Sequence, residues 1–163
     1  MSYLRIISID KPKGWTSFDV VRFVKRQFQE KKVGHLGTLD PMATGVLPVF
    51  LGQATRLIPL FNNVDKTYRA ICKFGESTDT YDAEGTVTQT LDPSFLNQQE
   101  VTKAVYSFLG QQEQQTPAFS AAKVNGVPSY KLARKGLKVP VKIRPVTFHE
   151  LEVESVELPF LQF

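Results

Sequence analysis

The chain predicts an α+β fold organised as one domain, and three observations carry that expectation. Its 163 residues are enough to bury a substantial single core. Strand-like and helix-like runs follow one another in irregular alternation, without a sustained strand-helix-strand rhythm. No repeat, low-complexity tract or linker divides residues 1–163.

Taken in order, Leu4 to Asp10 is a run rich in β-branched residues that ends at Pro12 and Gly14, which predicts a buried strand and a turn. A helix should follow. Thr16 or Ser17 offers its N-cap, Asp19 suits the first turn, and Val20, Val21, Val24 and Phe28 form one apolar stripe with Arg22, Lys25 and Arg26 elsewhere. Val46 to Leu51 predicts a short strand, Ala54 to Phe61 a short helix, and Lys66 to Phe74 a strand alternating polar and apolar positions. Asp79 to Gly85 is a turn before a strand over Thr86 to Leu91. Asp79, Asp82 and Glu84 do not match the spacing of a calcium loop, so a polar hairpin without a metal is expected. Val101, Ala104, Val105 and Phe108 predict a helix over Glu100 to Leu109, stopped by Gly110. A long segment with Pro117, Pro128, Pro140 and Pro145 comes next, interrupted by a short helix around Ser129 to Lys135. Val146 to Glu157 alternates like a strand, and Leu158 to Phe163 continue apolar. A complete domain rarely stops at an unpaired apolar strand, so truncation on the C-terminal side is expected.

Composition narrows the class. With 42% hydrophobic and 22% charged residues the chain is of soluble globular type. It has no apolar run near 18 residues and no leader pattern, which points to a cytoplasmic protein without a membrane segment. The single cysteine, Cys72, excludes a disulfide framework and reads as a small buried residue. A net charge of +4 is weak evidence by itself. Its distribution says more: Arg22, Lys25, Arg26, Lys31 and Lys32 lead into residue 33, and Lys123, Lys131, Arg134, Lys135, Lys138, Lys142 and Arg144 form a second run without an acid. Either run alone is usually a solvated face. Two of them suit a polyanion that must be held while one of its groups reacts.

Residues 33–45 carry the chemistry. The stretch Val33-Gly34-His35-Leu36-Gly37-Thr38-Leu39-Asp40-Pro41-Met42-Ala43-Thr44-Gly45 gathers three glycines, one of the two histidines and a carboxylate. An Asp before a Pro is most often a turn former that hydrogen-bonds its own backbone. The density of glycine, histidine and hydroxyl groups around this one favours a functional loop.

This stretch resembles the signature loop of the TruB family of pseudouridine synthases, Gly-His-x-Gly-x-Leu-Asp-Pro-x-Ala-x-Gly, and matches it completely. Asp10-Lys11-Pro12-Lys13-Gly14 with Thr16-Ser17 resembles the family's first motif, and Asp65-Lys66-Thr67-Tyr68-Arg69 its conserved strand. Thr78-Asp79-Thr80, Asp82-Ala83-Glu84-Gly85 and Pro117 to Lys123 extend the likeness in the same order. The resemblance implies the pseudouridine synthase fold, with a mixed central sheet flanked by helices. It implies an RNA-gripping insertion around 111–145 and isomerisation of the uridine at position 55, in the TΨC loop of tRNA, without a cofactor or metal.

By the same resemblance Asp40 is the catalytic carboxylate, and Lys11, His35, Thr38, Lys66, Tyr68 and Arg69 form the RNA-contacting set. Reaching the target base requires extruding it from its stack, at a cost of a few kcal/mol. A stacking aromatic offsets roughly 1 to 3 kcal/mol per base. Tyr68 resembles that platform, although Tyr68, Ala70, Cys72 and Phe74 share one face of an alternating strand and would by pattern alone be core. His35 resembles the group that props the base out. Lys11 and Lys66 are candidates for phosphate contact.

One departure stands out. The family's later Lys-Gly-Thr-Tyr-Ile-Arg-like motif, whose arginine pairs with the catalytic carboxylate, has no counterpart in residues 1–163. The 163-residue chain alone is therefore expected to be catalytically incomplete; by the resemblance its partner is the tRNA stem-loop, with no membrane and no obligate protein partner. The competing reading is a module that binds RNA as a chaperone without converting it. A small-molecule hydrolase using His35 and Asp40 is disfavoured, because no nucleophilic Ser or Cys motif accompanies them.

Overall fold

A computed structural model describes residues 4–115, 123–124, 126–129, 132, 137, 139–140 and 143–163. The chain groups into two units, Met1–Lys66 and Thr67–Phe163. They are taken in turn.

In the first unit the β-branched opening run forms β1 (Arg5–Lys11), followed by α1 (Ser17–Gln27), β2 (Val33–His35) and β3 (Gly45–Leu51). The three strands pair antiparallel in the order β1-β3-β2, with Ile7 opposite Val49, Ile9 opposite Leu47 and His35 opposite Val49. Period-two alternation therefore puts Ile7, Ile9, Leu47 and Val49 on one face. The apolar stripe of α1 closes over that face: Val20, Val24, Leu47, Val49 and Leu51 are buried together, with Ile7, Ile9, Val33 and Leu39 packed against them. Each such fully buried side chain contributes about 1.5–3 kcal/mol. Truncating Leu47 to Ala would cost about 2–5 kcal/mol.

Local chemistry sets where α1 begins. Thr16 is the N-cap: its Oγ1 accepts the Asp19 N–H at 3.1 Å, and Asp19 returns a bond to the Thr16 N–H at 2.8 Å. This reciprocal box satisfies two donors of the first turn. Thr16 and Arg22 together hold the Asp19 carboxyl down at about 2. Phe28 falls outside the stripe predicted for it, because the helix ends at Gln27 and Phe28 becomes the exposed C-cap residue.

The short helix expected over Ala54 to Phe61 is a 3₁₀ helix over Gly52–Phe61. Pro59 inside it supplies no N–H and resists an α-turn. Gly34 of β2 makes room for this segment, since a Cβ there would lie 2.8 Å from Ile58 Cδ1.

The second unit is a set of small antiparallel ladders. Its elements are β4 (Ile71–Lys73), β5 (Glu76–Thr78), β6 (Val87–Thr90), α2 (Gln98–Tyr106), β7 (Gly110–Gln115), β8 (Lys123–Val124), β9 (Val127–Pro128), β10 (Ile143–Phe148), β11 (Ser155–Glu157) and β12 (Phe160–Gln162). Asn97 caps α2 by accepting the Glu100 N–H. The helix starts and stops earlier than its apolar spacing predicts.

Three expectations are corrected here. The strand over Lys66 to Phe74 is reduced to β4 with Ala70, because the ladder partner is only β12 and the Ala70–Phe163 pair next to it. Val146 to Glu157 is not one strand; β10 ends at Phe148 and β11 begins at Ser155. Nor do the last residues form an open edge. The chain turns at the cis Leu158–Pro159 peptide, and β12 is the middle strand of the order β11-β12-β4.

β5 and β6 form the expected polar hairpin, whose carboxylates serve its own backbone. Asp82 accepts from Thr80 Oγ1 and the Glu84 N–H, and Asp79 accepts the Thr86 N–H at 2.8 Å. β7 pairs with β10 from Gly110 opposite Phe148 to Gln115 opposite Ile143. The short helix predicted around 129–135 lies largely outside the described residues, as does most of the second basic run. Among the described residues, α-helices, a 3₁₀ helix and antiparallel ladders make an α+β mixture, as the segment pattern predicts.

Candidate active site

β2 delivers the chain to the loop. His35 closes the strand, and Leu36 donates its N–H to Pro48 O at 2.9 Å. Gly37 takes φ +75°, a backbone conformation that costs a glycine little and any other residue more. His35 Nδ1 bonds to Gly37 O. A carbonyl can only accept, so Nδ1 is the donor in this contact. Thr38 is exposed on the same loop.

Asp40 and Pro41 open a turn closed by the Ala43 N–H on Asp40 O at 3.1 Å. Asp at the first position and Pro at the second are what this turn prefers. The backbone alone makes the turn. Among the described residues no hydrogen bond or ion pair reaches the Asp40 carboxylate, and Asp40 is exposed. The plain turn-forming use of an Asp-Pro pair thus leaves the acid group itself available.

What holds the loop is the first motif. Leu39 buries its side chain against the core of the unit, and its backbone N–H and C=O both bond to Ser17 Oγ, at 3.0 and 3.1 Å. On the other side of Asp40, Pro41 O accepts the Gly14 N–H at 2.7 Å and Lys11 Nζ at 3.3 Å. Lys11 also donates to Trp15 O at 2.6 Å and Pro12 O at 3.1 Å. Lys11 is 0% exposed. This corrects the phosphate-contact role expected of it: three donors meet three carbonyls inside the unit, and none faces a phosphate. An ammonium buried this way must be hydrogen-bonded to be tolerated, and here it fastens the loop to the turn after β1.

Lys66 ends this unit, exposed, with Nζ on Val64 O at 2.8 Å. The basic run on and after α1 is exposed at Arg22, Arg26, Lys31 and Lys32. It carries one more acid than its own sequence stretch suggests, since Arg22 pairs with Asp19.

The second unit holds the remaining candidates. Tyr68 is 64% exposed, whereas Ala70, Cys72 and Phe74 are half-buried. The core role that strand alternation alone assigns to Tyr68 is not what this unit shows, because Tyr68 lies before the ladder begins. Arg69 bonds side-on to Glu154, Nε at 2.7 Å and one Nη at 2.6 Å, and Gln162 joins the same carboxylate. Burial pushes the Cys72 thiol up. Ser17 is the site-forming residue that sequence reasoning missed; its signal was the tandem Thr16-Ser17, in which only one hydroxyl is needed as a cap.

Among the described residues no helix is long and apolar enough to cross a membrane. A family model described as TruB family pseudouridylate synthase (N terminal domain) matches residues 25–163. The tRNA pseudouridine synthase B of Syntrophotalea carbinolica is 46% identical over 158 residues, covering 97% of this chain and 52% of that protein. The protein of the same name from Geotalea uraniireducens is 48% identical over 157 residues, covering 96% and 51%. The chain spans about half the length of the curated relatives it matches. Among solved structures, a Cbf5-Nop10-Gar1 complex aligns with TM-score 0.67 at 27% identity, over 96% of this chain and 37% of that one. An H/ACA RNP bound to a substrate RNA containing 2'-deoxyuridine shares the fold, at TM-score 0.64 and 24% identity.

Proposed function

The chain belongs to the TruB family of pseudouridylate synthases, and from that premise we propose that it forms the part of a tRNA pseudouridine synthase that carries the reacting carboxylate, Asp40. The observation that carries the proposal is the loop itself. Asp40 stands exposed in the Gly34-to-Gly45 motif, with both neighbouring residues tied into the first unit by Ser17, Lys11 and Gly14.

The reaction breaks the N-glycosidic bond of a uridine and rejoins the ring to the same sugar through carbon, so no atoms are lost or gained. An ionised carboxylate serves it as nucleophile or as base. The uridine is taken to be that of the TΨC loop, position 55, flipped out of its stack before reaction. His35 then props the vacated space, and exposed Tyr68 offers a face for the extruded base. Thr38, Lys66 and Arg69 supply polar and cationic contacts to the RNA, and residues 111–145 grip the stem-loop.

The test is conversion of uridine 55 in unmodified tRNA by the protein at its natural length. Asp40→Asn should abolish conversion while leaving tRNA binding within a few-fold. Full activity in that variant would remove Asp40 from the chemistry.

A second reading has one observation in its favour: within the described residues no cation is bonded to the Asp40 carboxylate. On that reading these residues bind tRNA without converting it. Salt-sensitive binding indifferent to Asp40, with no pseudouridine formed, would support it.

A further inference from the structure

Two hydroxyls in tandem open α1, and they divide the work. Thr16 sits in extended backbone as the N-cap and uses its Oγ1 on the Asp19 N–H. Ser17, at the first helical position, is not needed as a cap. Its side chain is turned into the unit instead, where Ser17 is 3% exposed. There one oxygen does two things: it accepts the Leu39 N–H at 3.0 Å and donates its own proton to Leu39 O at 3.1 Å.

The second of these bonds matters for Asp40. The carbonyl of Leu39 belongs to the peptide plane that joins Leu39 to Asp40, so fixing it limits rotation about the Asp40 N–Cα bond. The plane on the far side is fixed by the Ala43 N–H on Asp40 O at 3.1 Å. With both planes held, the direction of the Asp40 Cα–Cβ bond is set. The carboxylate has no hydrogen bond of its own among the described residues, so the backbone sets the point from which it swings and only its χ1 and χ2 are left to turn.

We propose that Ser17 is a positioning residue that aims the Asp40 carboxylate through the Leu39–Asp40 peptide plane. The proposal rests on the reading of Asp40 as the reacting group. Removing the hydroxyl leaves the Leu39 N–H and C=O without their partner, and the peptide plane turns to find another. A displacement of about 1 Å at a reacting group is enough to cost roughly 100-fold in rate.

The experiment compares Ser17→Ala and Ser17→Thr with the wild type, in the protein at its natural length. Single-turnover conversion of uridine in saturating unmodified tRNA is measured beside the dissociation constant for the same tRNA. Ser17→Ala should slow conversion by about 10- to 100-fold with tRNA affinity unchanged, and Ser17→Thr, which keeps the hydroxyl, should return most of the rate. If Ser17→Ala does not fold, Ser17→Cys replaces it, because a thiol of similar size is a weak donor; the same slow rate at unchanged affinity is expected. A wild-type rate in the Ala or Cys variant overturns the proposal, as does a loss of affinity equal to the loss of rate. A wild type that converts no uridine instead rejects the reading of Asp40 on which the proposal stands.

Discussion

Replacing Lys11 by Met separates the two roles open to a lysine beside the Asp40 loop. Lys11 Nζ meets three carbonyls, those of Trp15, Pro12 and Pro41. Methionine keeps the length of the stem and removes the charge. Two of the three carbonyls retain a backbone donor without Lys11: Pro41 O keeps the Gly14 N–H at 2.7 Å, and Pro12 O keeps the Trp15 N–H at 3.4 Å. Trp15 O, the closest of the three, is left without a partner among the described residues. An orphaned carbonyl that is part-buried, as Trp15 O is, costs up to about 1–3 kcal/mol. The lost charge-assisted bonds add to that, while relief of the several kcal/mol spent on burying an ammonium offsets part of it. The expected net loss is about 1–3 kcal/mol, read as a lower urea midpoint at unchanged slope. In the same variant the salt dependence of tRNA binding should not change, because no phosphate contact has been removed. A phosphate-binding Lys11 predicts the reverse: an unchanged midpoint, and a log K against log salt slope shallower by roughly 0.7 to 0.9. That pair of results would refute the placement of Lys11 as a fastening group.

Three further outcomes follow from contacts described above. Gly34→Ala puts a methyl 2.8 Å from Ile58 Cδ1, the far end of a side chain that can turn aside; it should cost no more than about 0.5–1.5 kcal/mol. Ile58→Val in the same chain should remove most of that in thermal unfolding, and a larger loss that Ile58→Val leaves untouched would show the strain lies elsewhere. Asp19 has its carboxyl lowered from 3.8 to about 2, chiefly by Thr16 and then by Arg22. The ionised form is the one favoured by folding, so its stabilisation is fully present above 3.8 and disappears as pH falls through about 2. The stability gap between wild type and Asp19→Asn should therefore hold from neutral pH to about 4 and close toward pH 2; a gap constant with pH would contradict the capping geometry. Arg69 and Glu154 are 72% and 29% exposed, so Arg69→Met and Glu154→Gln should each cost less than about 1 kcal/mol. Only Arg69→Met should weaken tRNA binding. Equal weakening by both would mean the pair acts by holding its own unit together.

What could be read before folding was what local periodicity and capping encode. The stripe Val20, Val21 and Val24 predicts the buried face of α1 because a helix repeats every 3.6 residues. The β-branched run over Leu4 to Asp10 and the short apolar run over Val46 to Leu51 predict β1 and β3, because such residues favour a buried strand. The Asp40 loop was legible through its composition. β7 was not, since Gly110 to Gln115 holds four glutamines and a glutamate with no strand propensity; it is a strand because β10 pairs with it. Lys11 was misread for a related reason. Lysine is almost never fully buried, and the carbonyl that completes its cage comes from Pro41, thirty positions away. Ser17 is the same case, its partner Leu39 lying 22 positions on.

The ladder of β7 and β10 has a consequence for how such a chain can change. Gln115 and Ile143 face each other across it, so everything between them leaves and returns through one doorway held by six residue pairs. Lengthening or shortening the stretch within does not move either post. The entropy of closing a longer stretch grows only logarithmically, by about 0.6 kcal/mol for each doubling. On closure entropy alone, a change in the length of the stretch between Gln115 and Ile143 costs the ladder of β7 and β10 little. Under the RNA-gripping role proposed for residues 111–145, such a doorway lets the stretch inside it change length while β7 and β10 keep their register.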